Sequence, residues 1–240
     1  MNTVYLCAIN NVLSGTCSED CGFCTQSVKH HANIERYNYK SIDQIVSEAK
    51  MAKSFGAFGY CLVTAGKGLD DKKTEFIAKA ARTVKKEIED IHLIGCNGIA
   101  DLDQLNYLKK IGIDSSGGIF GMGEEADDRD ELIRAIVSLE PNSVPINFFL
   151  PNKALPVKSS NLTQNEALKI IKEIRDGLGA EPIVMIAGGR ESMFEGDEQK
   201  MFAAGANAIV IGDYLTTKGE DALKDIKMIK DLGFNIGTKC

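Results

Sequence analysis

The chain has 240 residues, of which 44% are apolar and 26% are charged, as is ordinary for a globular protein. This length is typical of one large α/β domain and is ample to bury a hydrophobic core. The formal net charge is −6, which gives little electrostatic support for binding to a nucleic-acid backbone. No apolar run approaches the length of a membrane span, and residues 1–10 lack the features of a secretion signal. We therefore expect a cytoplasmic protein with no nucleic-acid or membrane partner.

The predicted elements alternate between short strands and helices along the chain. Runs rich in β-branched residues predict strands at residues 4–10, 60–64, 91–96, 113–120, 144–150, 183–187 and 208–211. Apolar residues at helical spacing predict helices at residues 41–55, 73–90, 102–111, 128–139, 164–178, 198–204 and 221–232. This alternation predicts an α/β fold with a parallel sheet.

The stretch 113–120 is anomalous, because one strand signal is followed there almost immediately by another. A closed barrel of the common type has eight strands, and a parallel crossover needs about a dozen residues. Either this stretch is one irregular strand, or a strand and a helix are absent. We expect a single domain over residues 1–240, a TIM-barrel-like (β/α) barrel with seven strands or an incomplete barrel.

Seven cysteines occur in the chain, and an odd number argues against a disulfide framework. Cys17, Cys21 and Cys24 form a C-x3-C-x2-C array directly after the first predicted strand. Thiolates are the soft ligands of iron–sulfur clusters, and three of them leave one iron of a 4Fe-4S cube open to a small molecule. A structural zinc site with His30 or His31 as fourth ligand is the main alternative. Unrelated reduced thiols are another.

Residues 15–27 around these cysteines resemble the cluster loop of biotin synthases, which are radical S-adenosylmethionine enzymes. Further stretches that resemble this family are residues 58–64, 93–98, 116–124, 143–147, 188–191 and 212–217. The resemblance runs from about Leu6 to Gly233 and is closest to the short members of the family.

The resemblance implies that Cys17, Cys21 and Cys24 hold a 4Fe-4S cluster. Electrons supplied there would cleave S-adenosylmethionine to a 5′-deoxyadenosyl radical, and the reaction would insert sulfur between C6 and C9 of dethiobiotin. It also implies cofactor contacts. Phe23 would pack near the adenine, Gly117 and Gly118 would lie near the methionine moiety, and Asn147 would contact substrate and cofactor. Each of these four residues also has an ordinary structural reading, and no side chain is assigned as catalytic.

Cys61 and Cys96 match two of the three cysteines that bind a second cluster, 2Fe-2S, the proposed sulfur donor in the family. Alone, each would be a small buried side chain. The chain departs from the family in two ways here. A strand and helix are missing between Ser115 and Ser116, and with them the third cysteine, for which Ser115 stands nearest. The arginine ligand of the family aligns with Met185.

Three functions therefore stay open at this level. The first is a biotin synthase, the second is a related enzyme without the 2Fe-2S cluster, and the third is a non-catalytic iron–sulfur protein. The partners that the resemblance implies are flavodoxin or ferredoxin as electron donor, the iron–sulfur assembly machinery, and a second copy in a homodimer.

Overall fold

The computed structural model describes residues 2–114 and 117–238. The strands are β1 (Thr3–Leu13), β2 (Gly59–Thr64), β3 (His92–Cys96), β4 (Ile113–Asp114), β5 (Gly118–Phe120), β6 (Ser143–Phe148), β7 (Ile183–Ile186), β8 (Ala208–Val210) and β9 (Asn235–Gly237). The helices are α1 (Ile42–Ser54), α2 (Asp71–Glu87), α3 (Leu102–Lys110), α4 (Ala126–Ser138), α5 (Gln164–Leu178), α6 (Arg190–Phe194), α7 (Glu198–Ala203) and α8 (Ala222–Asp231). All seven predicted helices are confirmed, whereas α6 and β9 were not predicted.

The strands form one curled sheet in which every neighbouring pair is parallel. Its order is β4-β3-β2-β1-β8-β7-β6-β5, and β9 adds to β1. This confirms the barrel-like α/β fold. The strands are parallel, so their carboxyl ends all lie at one end of the sheet. The loops that follow them meet at this end, where ligands of such folds bind.

The stretch 113–120 forms two short strands, and they lie at opposite edges of the sheet. β4 pairs with β3, β5 pairs with β6, and among the described residues β4 and β5 do not pair with each other. The link between Asp114 and Gly118 is four residue steps, which span at most about 14 Å. The sheet therefore curls until its edges nearly meet, and no crossover helix fits between them. This supports the absence of a strand and helix.

Helix starts follow capping signals that the sequence carries. Ser41 accepts a hydrogen bond from the Gln44 N–H at the start of α1. Thr163 and Glu166 form a reciprocal capping box at the start of α5. Such caps satisfy N–H groups that have no partner inside the helix.

The core has an outer layer between sheet and helices and an inner layer on the concave side of the sheet. Along β2, Tyr60 and Leu62 pack against α1 and α2 in the outer layer. Cys61 and Val63 point to the opposite face, as side chains alternate along a strand. The inner layer, which we call the interior cluster, consists of Cys7, Phe58, Cys61, Val63, Ile94, Ile183, Met185, Ala187, Ala208 and Val210. Within the described part of the chain, none of the helices has the length and apolar character needed to cross a membrane.

Candidate iron-sulfur site

The loop that carries the clustered cysteines leaves the carboxyl end of β1 and folds back on itself. The Cys17 N–H donates to the Gln26 carbonyl at 3.1 Å, and the Val28 N–H donates to the Cys17 carbonyl at 2.8 Å. The Gln26 side chain accepts a hydrogen bond from the Gly15 N–H at 2.5 Å. These bonds hold the backbone of the loop without using the thiols, which stay available as ligands.

The three thiols differ in exposure, and Cys17 and Cys21 lie close enough to Cys24 to affect its pKa. Cys17 is buried, Cys24 is half-buried and Cys21 is exposed. Burial raises the pKa of Cys24, the backbone N–H of Gln26 opposes this, and the neighbouring Cys17 and Cys21 raise it further. A cluster bound here would hold all three groups as thiolates, since thiolate is the form that binds metal.

The arrangement does not suit a single zinc ion. No three His, Cys, Asp or Glu side chains within residues 2–114 and 117–238 are arranged to hold one metal ion. The His30 Nε2–H points to the Cys21 carbonyl at 3.1 Å instead of completing a set of thiols. In a cubic cluster each cysteine binds a different iron atom, so its ligands need not surround one point. Three thiols that do not converge on one point can therefore still serve as separate ligands of one cluster.

Two other loops at the carboxyl end of the sheet form hydrogen bonds with the cysteine loop. The Val157 N–H, in the loop after β6, donates to the Gly22 carbonyl at 3.0 Å. The hydroxyls of Thr25 and Thr216 share a hydrogen bond of 2.7 Å, which joins the loop after β8. The position of the cysteines therefore depends on both halves of the chain.

Cys61 and Cys96, which are 35 residues apart, lie together at β2 and β3. The Cys61 thiol donates to the Cys96 sulfur, and the two Sγ atoms are 3.6 Å apart. Two thiolates on one tetrahedral metal atom are separated by about 3.8 Å, because each metal–sulfur bond is about 2.3 Å long. The hydrogen bond and burial raise the pKa of Cys61, and the same hydrogen bond lowers the pKa of Cys96. The pair therefore fits one metal atom of a second cluster.

The other ligand positions of the second cluster differ from the family pattern. Met185 is buried in the interior cluster with Cys61, at the position where the family has arginine. Ser115, which stands nearest the missing third cysteine, lies outside the described residues. The pair Cys61 and Cys96 is thus half of the four ligands that a 2Fe-2S cluster takes.

Asn147 bridges two strands at the edge of the concave face. Its Nδ2 donates to the Gly118 carbonyl at 3.2 Å, and its Oδ1 accepts from the Gly188 N–H at 3.0 Å. Its amide thus has backbone partners, which was the ordinary alternative to a ligand. Because it is only half-buried, its role toward substrate stays a prediction.

Gly117 and Gly118 have local packing reasons to lack side chains. A Cβ on Gly117 would lie 2.8 Å from Pro145 Cγ, and one on Gly118 would lie 3.2 Å from a Phe120 ring carbon. Both glycines keep β5 close to β6 and α4, whatever their role toward a cofactor. Phe23 is half-buried between two of the cysteines, so its predicted adenine contact stays a prediction.

An ion-pair network that the sequence pattern did not reveal supports the loop after β8. Arg190 donates to both carboxylate oxygens of Asp225 at 2.9 Å, and both residues are 2% exposed. Glu191 accepts from the Tyr214 hydroxyl at 2.8 Å. Arg190 is therefore paired inside the fold. The sequence signal was the Gly212–Thr217 stretch, which contains Tyr214, but the partner Asp225 looked like an ordinary helix residue.

Two family models match the chain. The Radical SAM superfamily matches residues 11–117, and the Biotin and Thiamin Synthesis associated domain matches residues 145–235. The chain is 52% identical to a biotin synthase from a Sulfurovum species, over 99% of this chain and 97% of that protein. It is 49% identical to a biotin synthase from a Nitratiruptor species, over 99% of both chains.

These two alignments also measure the missing segment. Each runs over 276 positions, which is 36 more than the 240 residues of the chain. At least that many positions of the relatives have no counterpart here, and a strand with its crossover helix is of this size. The direct passage from β4 to β5 is where the fold lacks such a unit.

Among solved structures, methylornithine synthase is similar with a TM-score of 0.74 and 18% identity, over 98% of this chain and 84% of that chain. The FeFe-hydrogenase maturase HydG from Carboxydothermus hydrogenoformans is similar with a TM-score of 0.78 and 14% identity, over 99% of this chain and 68% of that chain. At these identities the similarity concerns the fold alone.

Proposed function

Because the chain belongs to the biotin synthase family, we propose that it inserts sulfur into dethiobiotin to form biotin. The observation that carries the proposal is 52% identity to a biotin synthase over nearly the full chain. The three-cysteine loop at the carboxyl end of β1, with the match to the Radical SAM superfamily, supports it. The match to the Biotin and Thiamin Synthesis associated domain covers the second half of the same chain, and we propose that residues 1–240 act as a single domain.

In this proposal Cys17, Cys21 and Cys24 would hold a 4Fe-4S cluster, and S-adenosylmethionine would bind beside it. When bound, the cluster supplies the electron that cleaves the cofactor to a 5′-deoxyadenosyl radical. Gln26 supports the cluster by its backbone N–H, which contacts the Cys24 sulfur. Val157 and Thr216 hold the loop from the other half of the chain.

We assign the remaining predicted contacts around this loop to the cofactor and the substrate. Phe23 would pack on the adenine, and Gly117 and Gly118 would let β5 approach the methionine moiety closely. Asn147, fixed by Gly118 and Gly188, would present the rest of its half-exposed amide to cofactor and dethiobiotin. Backbone partners on both amide atoms hold this side chain in one orientation, as positioning requires.

Sulfur donation would depend on a 2Fe-2S cluster on Cys61 and Cys96. Their sulfur separation of 3.6 Å supports this. The missing unit and Met185 favour the alternative, a radical S-adenosylmethionine enzyme without the second cluster. A protein that has lost turnover altogether would hold iron without cleaving the cofactor.

The partners follow from the same chemistry. A small redox protein, flavodoxin or ferredoxin, would deliver the electron at the exposed Cys21 side of the loop. The iron–sulfur assembly machinery of the cytoplasm would load both sites, and a second copy of the chain would complete a homodimer.

The test is a product assay on protein purified and reconstituted without oxygen. With S-adenosylmethionine, dethiobiotin and reduced flavodoxin, we expect both 5′-deoxyadenosine and biotin, and the Cys21→Ala variant should form neither. Formation of 5′-deoxyadenosine without biotin would replace the proposal by the alternative without a second cluster. Absence of both products from a protein that holds a 4Fe-4S cluster would contradict both enzyme proposals.

A further inference from the structure

Three cysteines, Cys7, Cys61 and Cys96, form a diagonal row on three neighbouring strands. In the sheet register Cys7 lies opposite Gly59, and Cys61 is two residues further along β2. Cys61 lies opposite Ile94, and Cys96 is two residues further along β3. Since a step of two residues returns to the same face, all three side chains belong to the concave side of the sheet.

Cys7 approaches β2 closely because Gly59 has no side chain. A Cβ built on Gly59 would lie 2.5 Å from the Cys7 sulfur. The Cys7 sulfur, which belongs to β1, therefore lies over Gly59 of β2. Gly59 is two residues before Cys61 along β2.

A 2Fe-2S cluster at Cys61 and Cys96 needs at least one more thiolate ligand close to these two cysteines. Cys61 and Cys96 have the separation of two ligands on one metal atom, and a second iron needs ligands of its own. In the described part of the chain no three His, Cys, Asp or Glu side chains surround one ion position, and Cys7, Cys61 and Cys96 do not either. A row of three thiols instead suits two metal atoms side by side.

We propose that Cys7 is the third cysteine ligand of the 2Fe-2S cluster in this chain, bound to the iron that Cys61 and Cys96 do not bind. This inference rests on the proposed function, which places that cluster on Cys61 and Cys96. Cys7 takes the place of the cysteine that is missing with the strand-helix unit. It comes from β1, on the opposite side of Cys61 from Cys96.

The experiment compares the cluster content of the wild type with that of Cys7→Ala, Cys7→Ser and Val210→Ala. Val210 lies in the same interior cluster and has no ligating atom, so its truncation tests packing alone. Each protein is reconstituted without oxygen, and iron, sulfide and Mössbauer spectra give the amounts of 4Fe-4S and 2Fe-2S. Circular dichroism and thermal melts establish that each variant is folded.

We expect the 2Fe-2S content of Cys7→Ala to fall about tenfold or more, with the 4Fe-4S content unchanged. Cys7→Ser should keep part of the 2Fe-2S signal with altered absorption, because an alkoxide oxygen replaces the sulfur. Val210→Ala should keep both clusters.

The inference is wrong if folded Cys7→Ala retains the 2Fe-2S content of the wild type, or if Val210→Ala loses it equally. If the wild type itself holds no 2Fe-2S cluster, the second site of the proposed function fails first, and the role of Cys7 fails with it. The two failures are thus distinguished by the wild-type spectrum.

Discussion

The chain has two thiol sites, the cysteine loop after β1 and the row of cysteines on the concave side of the sheet. They differ in how many segments supply the ligands. The loop places Cys17, Cys21 and Cys24 within eight residues and holds them by backbone hydrogen bonds. The interior site collects its thiols from separate strands, so each ligand depends on the sheet. Loss of one strand and helix can therefore leave the loop complete while it removes a ligand from the interior. The difference shows that a site whose ligands come from one segment keeps them all when a strand and a helix are lost elsewhere, although other loops still position that segment.

The largest effect is expected from Cys21→Ala, which removes a ligand of the loop. Cys21 is exposed, so the substitution should leave the fold intact. We expect the 4Fe-4S cluster, about four iron atoms per chain, to be lost and cofactor cleavage to become undetectable. Iron analysis and a 5′-deoxyadenosine assay measure this. Retention of full cleavage would show that the loop does not hold the cluster.

Cys96→Ala should separate the two sites. It removes the exposed thiol of the Cys61–Cys96 pair, so the 2Fe-2S signal and biotin formation should be lost. The loop is untouched, and 5′-deoxyadenosine should still form at a rate within about threefold of the wild type, because distant sites act nearly independently. If cleavage and cluster loading at the loop were lost as well, the two sites would not be separate.

Local signals in the sequence predict some elements of this fold better than others. The apolar spacing predicts the helix at residues 164–178 at both ends, and the structure adds a Thr163 capping box, which is also a local feature. Residues 113–120 were harder, since two strands joined by three residues resemble one strand. β9 has three residues and α6 has five, and segments this short carry little periodicity.

The same distinction holds for the sites. The spacing of Cys17, Cys21 and Cys24 is visible in the sequence because all three lie in one loop. The contact between Cys61 and Cys96 spans 35 residues, and only the resemblance to a family pointed to it. Cys7 was missed because a cysteine in an apolar strand looks like any small buried side chain. Its position depends on the register of β1 and β2, which the sequence pattern does not give.

Asp225→Asn should weaken the whole protein and leave the ratio of the two clusters unchanged. It removes the buried partner of Arg190 and leaves only the half-exposed Glu191 at 3.2 Å, so we expect a cost of about 3 kcal/mol of unfolding free energy, the lower end for breaking a buried pair. Asp231→Asn, at a 61% exposed side chain on the same helix, is the control and should cost no more than about 0.5 kcal/mol. Denaturant unfolding of both variants gives these values. An equal, small effect of both would contradict the structural role of the Arg190–Asp225 pair.

Gly59→Ala should disturb the interior site through Cys7. The new Cβ would lie 2.5 Å from the Cys7 sulfur, and such overpacking costs about 1–3 kcal/mol. In the Cys7→Ala background the cost should be smaller, because the sulfur is gone. A double-mutant cycle by denaturant unfolding measures the difference. Additive effects would mean that Cys7 does not occupy the space above Gly59.

Thr216→Val should have the smallest effect, since it removes one hydroxyl contact between the loops. Loss of the 2.7 Å bond to Thr25 costs about 1 kcal/mol, so the KM for S-adenosylmethionine should rise at most about fivefold. Thr217→Val, which keeps the Thr25 contact, is the control. A much larger rise in this KM for Thr217→Val than for Thr216→Val would contradict the idea that the Thr216 hydrogen bond positions the cysteine loop.

The most direct test of the central claim is a Mössbauer spectrum of the wild type loaded with isotopically enriched iron, recorded without oxygen and repeated for Cys21→Ala. We expect a 4Fe-4S signal that disappears in the variant, beside a 2Fe-2S signal that both proteins share. A 4Fe-4S signal that survives in Cys21→Ala, or a wild type that takes up zinc and forms no cluster, would contradict it.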